Sequence, residues 1–281
     1  MKSWIRSRFA AVLRRLGAVI LLGLAGTAAH GADYPVLRSP SPPLSAWQFQ
    51  ATAYGWATAI NGEVGVRNLP PVDVNVDFLD VLKRLDGAFM GSFLAKNGEW
   101  MTMTDVVWAK LSDDALVKPP GTRRPVLAAL LPGTYVELGL RQLMASSIVG
   151  YRLPFVSPNV ELYATAGVRY QRLTAQLKAT PGLVPITISR GGVEDWADPI
   201  VGLAFNWRIT DRWFANALAD VGGFGVGSEF TAQGFASIGY KWTPSISTSI
   251  GYRAISNDYR DGGFRYSTTQ HGLYSSLAYH F

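Results

Sequence analysis

From Trp47 onward, the chain repeatedly places apolar and polar residues at alternate positions. Successive side chains of a β-strand point to opposite faces, so this period of two predicts strands with one apolar and one polar face. The segment Leu85–Lys96 alternates least well, because Phe89 and Met90 are adjacent and both bulky. The predicted strands are Trp47–Ala59, Leu85–Lys96, Glu99–Leu111, Thr134–Tyr151, Pro158–Lys178, Trp196–Ile209, Arg212–Val221, Glu229–Trp242, Ser245–Asn257 and Phe264–Phe281.

The connections between these segments alternate in length. The tight ones are Asn97-Gly98, Arg152–Ser157, Thr210-Asp211 and Thr243-Pro244, and Asn-Gly is the strongest two-residue hairpin signal. The longer ones are Ile60–Arg84, Ser112–Gly133, Ala179–Asp195, Gly222–Ser228 and Asp258–Gly263. Every second connection of an antiparallel barrel lies at the same end. The pattern therefore predicts an all-β, transmembrane antiparallel β-barrel of about ten strands (about eight to twelve are possible), with short periplasmic turns and longer outer loops.

Charged residues in these segments fall mainly on the polar face of the alternation. A charge on the lipid face at mid-membrane costs about 2–4 kcal/mol, so we assign the polar face to the lumen. Side chains can fill the interior of a small barrel, and six acids against five bases predict ion pairs that close the lumen. The predicted network of lumen-facing charges comprises Asp105, Glu137, Arg141, Glu161, Arg169, Asp198, Arg208, Asp220, Glu229, Lys241 and Arg253.

Residues 1–31 have the composition of a secretory signal peptide: five basic residues without an acid, the apolar run Leu16–Leu24, and then small residues. The apolar run is shorter than the ~20 residues of a spanning helix, so a retained membrane anchor ranks second. Segment 32–45 contains four prolines and is predicted to be a periplasmic leader, and 46–281 to be the barrel. Without the signal, 21 basic residues remain against 20 acidic ones, which removes the main argument for nucleic-acid binding.

The chain ends in G-L-Y-S-S-L-A-Y-H-F, in which Leu277, Tyr279 and Phe281 share one face. This resembles the C-terminal strand of bacterial outer-membrane β-barrels, whose terminal aromatic residue is the assembly signal. The segments W-A-D-P-I-V-G (196–202), D-V-G-G-F-G-V-G-S (220–228) and F-L-D-V-L-K-R-L-D (78–86) resemble a proteobacterial outer-membrane β-barrel protein family of undetermined function. The resemblance implies the barrel fold and a location in the cell outer membrane, and it implies no activity.

Residues that could carry chemistry are few. The chain has no cysteine, which excludes thiol catalysis and thiolate metal sites. The glycine-rich segment Gly223–Gly227 precedes a predicted strand, whereas a phosphate-binding loop opens a helix, so we interpret it as a turn. His271 shares the apolar face of Leu273, and His280 lies beside the chain end. We therefore expect no enzyme activity, no catalytic residue, no metal site and no cofactor.

These features favour a monomeric outer-membrane protein with a structural or accessory role at the cell surface and a salt-bridged lumen. The first alternative is a narrow channel for passive passage of small solutes. The second is an outer-membrane enzyme that modifies lipid or peptide, for which no catalytic triad assembles in the sequence. The expected partners are outer-membrane lipid and lipopolysaccharide and the outer-membrane assembly machinery, and not nucleic acid.

The terminal strand leads to a prediction about assembly. Removing Phe281 should sharply lower the amount of assembled protein, because the terminal aromatic residue is the recognised end in the family that the chain resembles. The measurement is the protein content of outer-membrane fractions, where N-terminal sequencing should also find a mature start between His30 and Asp33. Normal assembly without Phe281, or an intact Met1, would contradict the corresponding expectation.

Overall fold

A computed structural model describes residues 47–65, 72–115, 135–154, 157–180 and 188–281 of the chain. The predicted signal peptide and leader lie outside these ranges, as does most of the predicted outer loop Ser112–Gly133. All described residues belong to one compact unit, Pro43–Phe281.

Ten long antiparallel strands close into a barrel, which confirms the predicted fold. Each barrel strand pairs with the next one along the chain, and a ladder between the first and last strands completes the circle. One short strand and one short helix, α1 (Phe78–Lys83), lie between the first two barrel strands. The described strands are β1 (Gln48–Gly65), β2 (Val72–Val76), β3 (Leu85–Asn97), β4 (Trp100–Ala115), β5 (Tyr135–Leu153), β6 (Val160–Thr180), β7 (Ile188–Arg208), β8 (Trp213–Gly222), β9 (Phe230–Lys241), β10 (Ile246–Asp261) and β11 (Phe264–His280).

The two ends of the barrel carry different connections. At one end, which we name the turn end, short turns join β3 to β4, β5 to β6, β7 to β8 and β9 to β10, and β1 begins and β11 ends. Gly98 in the first of these turns has φ 59°, a left-handed conformation that glycine adopts without steric cost. The opposite end, the loop end, carries the remaining connections.

The loop-end connections contain more strand than the sequence predicted. β1 continues to Gly65, and β6 and β7 remain paired as far as Ala179 and Ile188, inside the predicted loop Ala179–Asp195. The local sequence there is rich in glycine and charge, which favours a loop. Antiparallel pairing nevertheless continues from the wall because it satisfies the backbone hydrogen-bonding groups of these residues.

The outward face carries an apolar belt of nearly constant height. It runs from Trp100 to Lys110 on β4 and from Tyr151 to Arg141 on β5, eleven residues or ten strand steps in each case. Ten tilted strand residues rise about 25 Å along the barrel axis, which is the height of the apolar band of membrane barrels. Exposed members of the belt include Trp100, Val149, Val168, Leu203, Trp207, Trp213, Ile250, Leu273 and Leu277. In the described ranges, no helix has the length and apolar character needed to cross a membrane.

The wall is interrupted between β1 and β3. These two strands pair only from the turn end to Ala53 and Gly91, whereas β3 pairs with β4 from one end to the other. Farther along β1, β2 pairs with Ile60–Val64 on the same side. Within the described part of the chain, residues 54–59 of β1 therefore lack a strand partner on this side, and α1 packs beside β1.

The barrel interior as candidate functional site

Arg169 on β6 lies inside the barrel with none of its surface exposed. Its Nη2 donates to both carboxylate oxygens of Asp220 on β8, at 2.8 and 2.9 Å. Its Nε donates to Ser146 Oγ on β5 at 3.2 Å, and its Nη1 donates to Thr231 Oγ1 on β9 at 3.1 Å. One guanidinium group thus links its own strand to three others across the lumen.

Asp198 on β7 is also fully buried, and its acceptors are satisfied by uncharged donors. Its Oδ1 accepts the backbone N–H of Ser228 at 2.6 Å, and its Oδ2 accepts Trp196 Nε1 at 3.2 Å. Ser228 belongs to the β8–β9 connection, which is therefore tied to the interior. Gly227 permits this approach, because a Cβ at that position would lie 2.8 Å from Asp198 Oδ1 and would clash with the carbonyl group of Ala197.

Uncharged polar side chains extend the same layer to β10. Gln171 Nε2 donates to Asn257 Oδ1 at 2.6 Å, and Thr231 Oγ1 donates to the same oxygen at 2.8 Å. All three side chains are buried. Buried amide and hydroxyl groups of this kind are stable only when hydrogen-bonded, so the layer couples the packing of β6, β9 and β10.

A second buried cation, Arg253 on β10, forms another network. Its Nη2 donates to Asp105 Oδ1 on β4 at 2.7 Å and to Gln233 Oε1 on β9 at 2.9 Å. Its Nη1 donates to the Tyr54 hydroxyl on β1 at 2.8 Å, and that hydroxyl donates to Asp105 Oδ2 at 2.6 Å. The guanidinium group also lies 5.1 Å from the centre of the Trp56 ring, a cation–π contact. These charge-assisted hydrogen bonds connect β1, β4, β9 and β10.

Toward the loop end, aromatic side chains fill the interior. Trp196 stacks on Tyr259 with ring centres 4.1 Å apart, and it contacts Tyr266 at 5.9 Å. Leu173 packs in the same cluster, and Gln270 donates to the Tyr266 hydroxyl at 2.9 Å. A separate apolar cluster comprises Trp56, Val107, Met144 and Ile255. On the loop-end side of the ion pairs, the described interior is therefore filled with side chains.

On the turn-end side, the interior opens into a cavity of about 690 Å³, which we name the vestibule. It extends from Phe281 at the turn end to the charged groups of Asp105, Asp220 and Arg253. Much of the wall in between is apolar and is formed by Leu94, Met101, Met103, Ile148, Ile200 and Leu218. The vestibule thus penetrates as far as the buried ion pairs.

Charged groups are also present in the vestibule wall. Lys96 Nζ on β3 lies 2.7 Å from Glu161 Oε2 on β6, so this ion pair joins strands that are not neighbours. His280 Nε2 lies 2.8 Å from Ser247 Oγ. Lys241 and Arg208 line the vestibule as well. The vestibule therefore combines an apolar wall with charges near its mouth.

Eight of the eleven predicted lumen charges occupy inward-facing positions. The residues hydrogen-bonded or ion-paired in the interior are Asp105, Glu161, Arg169, Asp198, Asp220 and Arg253. Lys241 and Arg208 face the vestibule. Arg169 and Asp220 belong to one network and Arg253 and Asp105 to another, whereas Glu161 pairs with Lys96 and Asp198 is bound by uncharged donors.

Three predicted residues lie elsewhere. Arg141 is exposed on the outward face of β5, where buried positions such as Gln142 have even numbers. Glu137 has the parity of Arg141, so its backbone position is also outward, and its side chain lies outside the described ones. Glu229 precedes β9 at the loop end, where its exposed carboxylate lies 3.9 Å from Arg260 Nη1.

The prediction that Arg141 faces the lumen was wrong. It assumed that any charge on the outward face would lie in the hydrocarbon of the membrane and would therefore be too costly. Arg141 lies at the loop-end edge of the belt, directly opposite Lys110 of β4. The cost of an outward-facing charge falls to about 0–1 kcal/mol near the interface. Polar pairs occur at this height: the Asp86 carboxylate accepts hydrogen bonds from Lys110, at 2.8 Å, and from the Ser112 hydroxyl.

Some residues of the interior were not among those predicted from the sequence, because they are uncharged or lie on a strand with poor alternation. Tyr54 and Gln233 complete the Arg253 network, and both have inward parity on their strands, which is the signal that could have identified them. Lys96, the partner of Glu161, was missed because its strand alternates poorly.

The predicted assembly residues lie on the outward face at the turn end. Leu277, Tyr279 and Phe281 are more than half exposed. The backbone N–H of Phe281 donates to the carbonyl of Phe49 at 3.0 Å, and the N–H of Phe49 donates back at 2.9 Å. The terminal aromatic residue thus closes the junction of the first and last strands. The role of these residues in assembly stays a prediction.

No protein-family model matches the chain, and no curated protein matches it in sequence. The fold is similar to those of several solved outer-membrane barrels. The outer membrane protease OmpT from Escherichia coli is 10% identical, with a TM-score of 0.47, 84% of this chain and 97% of that chain covered. The translocator domain of the autotransporter NalP from Neisseria meningitidis is 11% identical, with a TM-score of 0.41. The match covers 99% of this chain and 98% of that chain. At these identities no activity can be transferred.

The Arg169 network leads to a prediction about stability. Replacing Arg169 with Ala should lower the free energy of unfolding by about 3–5 kcal/mol, because Asp220 would keep a buried charge without its partner. The matched control is Arg208→Ala, since Arg208 is exposed and should contribute about 0–1 kcal/mol. Urea unfolding of both variants in lipid vesicles measures the difference. Similar small losses in the two variants would contradict the bracing role of Arg169.

Proposed function

We propose that this protein is an outer-membrane β-barrel with a structural or accessory role at the cell surface, and that its lumen is closed to axial passage. The observation that carries the proposal is the complete burial of Arg169, Gln171 and Asp198 in the middle of the barrel. The full burial of these three polar side chains supports a lumen that is closed at that level. An interior braced by ion pairs and filled with side chains is expected for a protein that acts through its outer surface. It is not expected for a protein that conducts solutes through its lumen.

The outward face supports the membrane position. On β4, its apolar belt spans eleven residues, from the aromatic Trp100 to the charged Lys110. Aromatic residues at the turn end would lie at one interface, as in the girdles of membrane barrels. The short turns and the C-terminal strand support a turn end in the periplasm and a loop end outside the cell.

The loop-end edge of the belt supports lipid as a partner. Lys110 and Arg141 lie opposite each other on β4 and β5, and Arg172 faces outward on β6 two positions from the partner of Arg141. Outward-facing cations at the headgroup level attract phosphate groups. This arrangement supports contact with anionic lipid and lipopolysaccharide in the outer leaflet. Because the ladder between β1 and β11 closes the wall within one chain, we propose a monomer.

An enzymatic role receives less support. Ser247 and His280 form a serine–histidine pair, but Ser247 is only 1% exposed and cannot reach a substrate as a nucleophile. The described hydrogen bonds provide His280 with no carboxylate to orient it. Among the described residues, no cluster of three or more His, Cys, Asp or Glu could hold a metal ion.

A narrow channel is the second candidate, and the vestibule is the observation that favours it. The cavity already reaches the Arg253 network from the turn end. A channel would require this network and the aromatic cluster around Trp196 to move aside. Because both are packed and hydrogen-bonded, we place the channel below the structural role.

Conductance separates these two candidates. The refolded protein in a planar bilayer should show no stable single-channel conductance, because buried side chains close the lumen. Arg169→Ala should lower the unfolding temperature and leave any residual ion selectivity unchanged. A conducting wild-type protein, whose reversal potential shifts toward cation selectivity in Arg169→Ala without loss of stability, would overturn the structural proposal and favour the channel.

Thiol labelling tests the orientation, because the chain has no cysteine of its own. Asp261→Cys at the loop end should react with a membrane-impermeant reagent on whole cells, and Asp211→Cys at the turn end should not. Both positions are exposed aspartates in short connections, so they are matched for reactivity. The reverse pattern would invert the proposed orientation, and equal labelling would contradict a membrane-spanning barrel.

A further inference from the structure

The interruption between β1 and β3 lies at the depth of the apolar belt. Residues 54–59 of β1 follow Ala53, the last residue paired with β3, and precede Ile60, the first paired with β2. An unpaired backbone group in hydrocarbon costs several kcal/mol, which is why membrane barrels close their ladders. An opening in the ladder at this depth therefore requires an explanation in terms of function.

The ladder that remains between β1 and β3 is also short. It spans six residues, from Gln48 to Ala53, whereas the ladder between β5 and β6 spans nineteen. Separating two strands costs free energy in proportion to the hydrogen bonds and packing that are lost. The boundary between β1 and β3, which we name the seam, is therefore the place where the wall opens at the lowest cost.

Cavities lie on both sides of the wall beside the seam. The vestibule occupies the inner side, and a groove of about 620 Å³ occupies the outward side. Thr52, Ser92 and Ala278 border both cavities. Thr52 is the register partner of both Ser92 and Ala278, so the three form one row across β3, β1 and β11. A single row of small residues thus separates the groove from the vestibule, one position from the last β1–β3 pair.

The chemistry of the outward groove selects apolar molecules, and apolar side chains also form part of the vestibule wall beside it. The outward groove is bordered by no charged residue, and its wall includes Ala51, Ala53, Phe89, Phe93 and Leu277. Leu94 and Met103 lie in the vestibule wall on the inner side of β3 and β4. A charged solute would lose its hydration in the groove without finding a partner there. The volume of the groove lies in the range of small-molecule sites, roughly 300–1,000 Å³.

We propose that the seam between β1 and β3 is a lateral passage for small, uncharged, apolar molecules between the lipid phase and the vestibule. The passage runs from the outward groove, across the row formed by Thr52, Ser92 and Ala278, into the vestibule. It is independent of the lumen axis, which the Arg169 network closes. It rests on the proposed membrane position of the barrel, because the groove faces lipid only if the belt lies in the bilayer.

Photolabelling from the lipid phase tests the passage. The full-length mature protein is reconstituted in phosphatidylcholine vesicles that contain an apolar aryl diazirine, and labelled residues are mapped by mass spectrometry after illumination. The wild-type protein should be labelled at the lumen-facing residues Leu94 and Met103. It should also be labelled at Leu203, which is outward-facing on β7 and reports the membrane position itself.

A disulfide across the seam provides the matched comparison. Ala53 and Gly91 are register partners, and partners in an antiparallel ladder lie within the Cα separation that a disulfide requires. In oxidised Ala53→Cys/Gly91→Cys, labelling of Leu94 and Met103 should be lost while Leu203 stays labelled, and reduction should restore it. The control pair, Ala217→Cys/Ala236→Cys, locks register partners of β8 and β9 and should leave all labelling unchanged.

Each alternative outcome has a distinct meaning. Lumen labelling that persists in the oxidised seam variant shows entry through the vestibule mouth and overturns the passage. Wild-type labelling at Leu203 without labelling at Leu94 or Met103 overturns the passage and leaves the membrane position intact. Absence of labelling at Leu203 overturns the membrane position and the passage together. If the cysteine pair does not fold, Ala53→Phe fills the groove and should likewise abolish lumen labelling.

Discussion

Two guanidinium groups hold the interior of this barrel together. Arg169 and Arg253 are buried among acceptors from five other strands, and no two adjacent strands could satisfy either one alone. A buried cation that loses its acceptors is costly, so each network favours the one arrangement of the wall in which all acceptors converge. The closed circumference, the packed aromatic layer and the depth of the vestibule all depend on where these two side chains lie.

The same interior divides the barrel into unlike halves. Toward the loop end, Trp196, Tyr259 and Tyr266 fill the space between the strands, and the β8–β9 connection is bound to Asp198. Toward the turn end, smaller side chains leave the vestibule open. We propose that the filled half closes the axial route, so lateral access through the wall becomes the relevant question.

The wall is correspondingly uneven. Long ladders such as β5–β6 extend beyond the apolar belt, while β1 and β3 share only six paired residues. The sequence contains an indirect sign of this short pairing, because β3 is the strand in which apolar and polar residues alternate least regularly. Phe89 faces outward and Met90 packs inward against the cluster of Trp56, so consecutive bulky residues serve both faces where the ladder is missing.

Local sequence pattern predicted the number of barrel strands, their order, the ends at which turns and loops lie, and most of the inward charges. These properties follow from the period of two and from connection length, which are local. The pattern did not predict where Arg141 lies, because the cost of an outward charge depends on its height in the belt rather than on its parity. It also did not predict that β9 begins only after Glu229. It also could not show that Lys96 reaches Glu161 or that Tyr54 joins Arg253 to Asp105.

The amino-acid sequence by itself thus determined that this protein forms an antiparallel barrel with a polar interior. Only the tertiary structure decided which polar groups meet, because the partners lie on strands far apart in the chain and come together only when the circle closes. It also decided that the wall opens between β1 and β3. There β3 pairs with β1 only as far as Ala53 and β2 takes the same edge from Ile60, an arrangement of two partners that no single segment encodes.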